Sequence, residues 1–188
     1  MKKILLYSIF LLLGLSKAQT LPLSSSIKQI NNGVYLKDVD NILPLFSGQW
    51  TANYEGGQVI LALDKKENYP VKFLDINYTS DVLLMRYAIK DSQGKEIYST
   101  LNKDLADKSV INSVISSTPP NKMIGFIYKG EECGIGAGHI FLTQIDATHI
   151  RWEYRSTGGL IDPKQCTNYS DNIKSYIPRT LDLTFTKQ

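Results

Sequence analysis

Apolar and polar residues alternate with a period of two along much of this chain. Ile150, Trp152 and Tyr154 alternate with Arg151, Glu153 and Arg155. Near the carboxy terminus Leu181, Leu183 and Phe185 alternate with Thr180, Asp182, Thr184 and Thr186. Side chains of a strand point to opposite faces in turn, so this pattern gives one buried face and one wet face. Further strands are predicted over Gln49–Tyr54, Gln58–Asp64, Val71–Tyr78, Val82–Ile89, Glu96–Leu101, Val110–Ser117, Met123–Tyr128 and His139–Ile145. The breaks between them carry turn residues: Glu55-Gly56-Gly57, Asp91-Ser92-Gln93-Gly94, Pro119-Pro120-Asn121 and Asp146-Ala147-Thr148. Such short links join antiparallel neighbours. Helix is predicted in two places only. Val34–Phe46 has apolar residues every few positions, and Pro44 limits it to a turn or two; Leu101–Asp107 is the other. The whole pattern predicts an all-β fold, an antiparallel up-and-down β-barrel of about eight to ten strands, with a β-sandwich as the alternative. No stretch has the long helical periodicity that a parallel α/β fold requires.

One segment departs from alternation altogether. Ile4 to Leu15 is a predominantly apolar run, preceded by Lys2-Lys3 and followed by Ser16-Lys17-Ala18. A basic start, a short apolar stretch and small residues before a cut describe a secretory signal peptide, with cleavage expected after Ala18. The run is well short of the roughly 20 residues that span a bilayer, and no transmembrane segment is expected in the mature chain. No cysteine lies at the cut to take a lipid. The expected organisation is therefore a signal peptide over 1–18, a flexible arm and short helical turn over 19–45, and one barrel domain over 46–188. The compartment is periplasmic or extracellular.

Discounting that segment changes the charge. The full chain carries 21 Lys and Arg against 18 Asp and Glu, and removing Lys2, Lys3 and Lys17 leaves 18 against 18. A neutral chain offers no electrostatic reason to bind nucleic acid. It also changes the reading of Cys133 and Cys166, the two cysteines present. In an oxidising compartment an even pair reads as a disulfide, here closing a loop of about 33 residues between two irregular segments. Two Cys and two distant His do not have zinc-finger spacing, so no metal is expected.

Phe46-Ser47-Gly48-Gln49-Trp50 is the sharpest motif. It resembles the opening of the calycins, the group of lipocalins and fatty-acid-binding proteins. The resemblance implies a helical turn leading into a Gly-x-Trp that closes one end of a lipocalin-like barrel. It also implies a basic side chain from the last strand packed over the Trp. Antiparallel pairing of the first and last strands would bring Lys187 to Trp50 and leave Arg179 at the far end, roughly 26 Å away at strand rise. The calycin residue at that position is Arg, so Lys187 is a departure. The same opening, Lys65-Lys66, and the stretch Ile89–Leu101 also resemble a family of small secreted proteins from Bacteroidota, a resemblance that brings no activity and no catalytic residue.

The remaining candidates for chemistry are few. Gly134-Ile135-Gly136-Ala137-Gly138 precedes a predicted strand, whereas a dinucleotide loop precedes a helix. His139 lies near Glu131 and Glu132, and a hydrolase built on them is the least favoured reading; exposed turn histidines are preferred for His139 and His149. Tyr54, Tyr78, Tyr87, Tyr98, Tyr128 and Tyr154 fall in predicted strands, where ordinary cross-strand packing accounts for them. No cofactor is expected. The reading is an exported, non-catalytic barrel whose interior holds a small apolar ligand, which an interior filled by side chains would exclude; a cell-envelope interaction or structural module without a ligand cavity is the alternative. The ligand-binding residues stay open.

Overall fold

A computed structural model describes residues 19–116, 122–157, 166, 170 and 172–188. The predicted signal peptide and the Pro119-Pro120-Asn121 reversal lie outside them. Eight strands close into an antiparallel barrel: β3 (Gly48–Tyr54), β4 (Gly57–Phe73), β5 (Ile76–Lys90), β7 (Ile111–Ser116), β8 (Met123–Tyr128), β9 (Gly138–Gln144), β10 (His149–Ser156) and β11 (Leu183–Lys187). Each pairs with its sequence neighbour in the barrel, and two contacts complete the ring. β11 pairs with β3, and β7 pairs with β5 through Met85 opposite Ile111. This is the up-and-down barrel, not the sandwich. Three short strands are added outside the ring: β1 (Thr20–Pro22), β2 (Tyr35–Lys37) and β6 (Glu96–Ser99).

The inward positions follow the alternation. Trp50, Leu61, Leu63, Leu83, Met85, Ile124, Phe126, Ile140, Leu142, Ile150, Trp152 and Phe185 belong to one contiguous cluster and are buried almost completely. Bulky side chains from the strands of the ring therefore fill the barrel, as an eight-stranded ring of this kind permits.

Local chemistry explains the closed end. Helix α1 (Leu43–Phe46) is a single turn, with Pro44 in its first turn where a missing N–H is harmless. Leu43 and Phe46 cap the cluster, and the Trp50 indole N–H donates to the Phe46 carbonyl at 2.7 Å. Lys187 is registered opposite Trp50, and its ammonium lies 5.1 Å from the ring centroid. Gly48 is needed here twice over. Its φ is +121°, and a Cβ would meet the Lys187 stem at 3.2 Å. Arg179 stands instead 5.9 Å from the Tyr154 ring. Replacing Lys187 with Ala should cost about 0.5–1 kcal/mol, the value of a half-exposed cation–π contact. Urea denaturation of Lys187→Ala against wild type would measure it.

Four sequence expectations need correction. Val71–Tyr78 is not one strand. β4 runs past Lys66 to Phe73, turns at Leu74-Asp75, and returns as β5 in a long hairpin. A bulge hides this in the sequence: Glu67 and Asn68 together stand opposite Asp81, with Asn68 at φ 53°. The extra residue shifts the side-chain phase, so Tyr69, Val71 and Phe73 fall on the outer face although Val59, Leu61 and Leu63 face inward. The expected flexible arm is ordered from Thr20. β1 pairs in parallel with β2, and β2 in parallel with the β5 edge at Thr79-Ser80. Leu101–Asp107 forms turns rather than helix, because Asp104 and Asp107 accept from nearby N–H groups. Leu181 is exposed: Thr180 and Asp182 bond each other locally, and β11 begins only at Leu183.

Candidate functional site

Two clefts stand out, one against the outer wall of the barrel and one at its mouth, where the core residues Tyr87, Ile111 and Tyr128 line it. The first holds about 610 Å³ and lies against the outer wall of β7 and β8. Its floor is Val114 and Ile127, which are 41% and 44% exposed. Ile127 points outward because its neighbours Phe126 and Tyr128 belong to the core. One wall is the overhanging hairpin, with Val71, Phe73 and Tyr78; the other is the arm, with Leu23, Ile27 and Leu36. Ile30, Val34 and Leu36 make a small second core beneath the arm, packed against Ile76 and Tyr78. Lys72 and Lys129 border the cleft. The volume falls within the range of small-molecule sites, and the lining is mainly apolar.

The bulge that creates this wall is held by Asp81, which is almost fully buried. Its carboxylate accepts from the Tyr35 hydroxyl at 2.6 Å, the Asp38 N–H at 3.0 Å and the Asn68 N–H at 3.1 Å. Burial alone would raise its pKa. The three hydrogen bonds and the charge of Lys65 outweigh burial and hold the carboxyl below its ordinary value. Tyr35 is driven the other way, to about 12, by burial and then by its bond to Asp81. Asp38 accepts in turn from the N–H groups of Ile42 and Leu43, so it caps α1. One chain of bonds thus joins hairpin, arm and closed end.

The second cleft, about 510 Å³, lies at the other end of the barrel among Tyr87, Tyr98, Tyr128, Lys108, Lys129 and Glu131. Glu131 accepts from the Tyr128 hydroxyl and, at 3.4 Å, from Tyr87. Tyr98 stacks on Tyr176 with centroids 4.6 Å apart. Burial drives the hydroxyls of Tyr87 and Tyr128 far above their ordinary pKa, so both remain proton donors and neither serves as a base. The Gly-rich loop after Glu131 is pinned by the Cys133–Cys166 disulfide, with the two Cα atoms 5.7 Å apart.

Other sequence candidates are dispersed. His139 is half-buried on β9, edge-on to Phe141. His149 opens β10 directly after the turn, 2.9 Å from Asp146. Glu131 is committed to tyrosines. No group of three metal-ligating side chains occurs among the described residues. Among those residues no helix is long and apolar enough to cross a membrane. Sequence reasoning missed the outer cleft. Its signal was present in the odd-numbered apolar residues Tyr69, Val71 and Phe73, but only the bulge tells which face they occupy. No family model, curated protein or solved structure matches the chain.

Proposed function

We propose that this chain is an exported, non-catalytic barrel protein that holds a small apolar ligand in the groove outside its barrel. The observation that carries this reading is a concave, largely apolar cleft of about 610 Å³ beside a barrel whose own interior is occupied by side chains. Exposed apolar floor residues are a cost in water that a ligand relieves. The basic, apolar and small-residue pattern of 1–18 and the disulfide support export. The Phe46–Trp50 opening, with Lys187 over Trp50, supports kinship with the calycins. Groove and calycin interior are different places, so the ligand would be held on the outer wall here. A second reading, an envelope module that docks a protein segment, is favoured by the same filled core and exposed Val114 and Ile127.

Native mass spectrometry of protein purified from its own host tests both. The expected spectrum carries a bound small molecule in the wild type and none in Ile127→Glu, with thermal midpoints alike because Ile127 faces solvent. A co-purifying protein in place of a small molecule selects the second reading. A wild-type spectrum with neither, or equal loading of both proteins, rejects the groove.

A further inference from the structure

The β4–β5 hairpin ends in the most exposed large apolar side chain of the described residues. Leu74 is 77% exposed and Phe73, beside it, 44%. Leu74 and Asp75 form the two-residue link between the paired Phe73 and Ile76. The φ of Leu74 is +52°, a left-handed conformation that suits Gly or Asn and strains a leucine. Neither folding nor solubility accounts for a leucine there. The tip is also held rigidly. Gly33 N–H donates to the Asn77 carbonyl at 2.9 Å, Asn32 accepts from the Asn77 N–H at 2.7 Å, and Thr79 N–H donates to the Val34 carbonyl at 3.0 Å. An apolar pair is thus presented on a braced stalk.

We propose that this tip is a foot for a lipid surface. Phe73 and Leu74 enter the boundary between headgroups and acyl chains, and Lys72 stays at headgroup level facing anionic phosphates. A protein partner is the poorer fit. Two side chains at a turn offer far less than the roughly 800 Å² per partner of a stable protein interface, whereas a bilayer needs no matching shape. The Asp75 carboxylate in the turn offsets the Lys72 charge, so attachment is carried by the two apolar side chains and is weak and reversible. This goes beyond the groove reading; the tip shares Lys72 and Phe73 with the groove's wall, and Leu74 lies outside it.

Co-sedimentation with vesicles of phosphatidylcholine and phosphatidylglycerol tests it, using protein purified from its host. Wild type should pellet with vesicles, and the F73S/L74N variant should partition at least about tenfold less. Asn suits the left-handed turn, so that variant should melt no lower than wild type and its loss of binding cannot be assigned to unfolding. Ile127→Glu should bind vesicles as wild type does, whatever becomes of its groove ligand. Wild type left in the supernatant, equal binding by F73S/L74N, or loss of binding in Ile127→Glu with the tip intact would each overturn the assignment.

Discussion

Asp81→Ala is expected to lower the unfolding free energy by about 3–5 kcal/mol, because three hydrogen-bond donors lose one charged acceptor. Tyr35, Asp38 and Asn68 would all lose the acceptor they share. Each donor left dry costs roughly 1–3 kcal/mol, and partial rehydration of the arm keeps the total below the sum. The loss should be spatially ordered. Amide exchange should accelerate first at Leu36 and Asp38, then across α1, because Asp38 both donates to Asp81 and caps the helix. The effect should also depend on pH. Folding holds the Asp81 carboxyl below the ordinary value of 3.8, so the folded state binds fewer protons than the unfolded chain. Its contribution is complete above the unfolded value and is lost as pH falls through the lower folded value. Urea denaturation near neutrality should therefore separate wild type from Asp81→Ala widely, and at the most acidic pH the fold tolerates the gap should narrow. A gap that stays constant on acidification would show that shape, not charge, makes Asp81 matter.

Where alternation is unbroken, the fold was readable. Ile150, Trp152 and Tyr154 face inward on β10 as their spacing requires, and the turns at Glu55-Gly56 and Asp91–Gly94 join antiparallel neighbours. The pairing of Lys187 with Trp50 was also accessible, because chain direction and strand phase determine it once the barrel closes. The groove was not readable. It depends on one inserted residue at Asn68 and on Asp81, distant in sequence, which holds the insertion. It depends too on an arm whose Asp38 reaches across to that same carboxylate. Local periodicity carries no information about such pairs. A polar arm with Ser and Asn looks mobile until its hydrogen-bond partners are known, and Leu74 looks like one more strand residue until the turn beneath it is seen.

Trp50→Ala should be the costliest change to the barrel core, about 3–5 kcal/mol, because it opens a large cavity in a packed region and removes a hydrogen bond. Trp50 is buried completely between α1, Leu61 and the β11 end. Three contributions can be separated there. Trp50→Phe keeps most of the ring volume but loses the N–H to the Phe46 carbonyl, and should cost about 1–2 kcal/mol. Lys187→Ala removes the ammonium from the ring face and should cost less than either. Trp50→Ala removes ring, bond and cation contact together. The order Trp50→Ala, then Trp50→Phe, then Lys187→Ala is therefore a statement that packing dominates the closed end. Equal costs for the Ala and Phe variants would transfer that role to the hydrogen bond. The chain has two tryptophans, so Trp50→Phe also leaves Trp152 as the sole tryptophan reporter, on the strand two places around the ring. If the closed end belongs to the same cooperative unit as the rest of the barrel, Trp152 fluorescence and far-ultraviolet dichroism will report one transition in that variant. Separate midpoints would mean that the closed end opens before the barrel does.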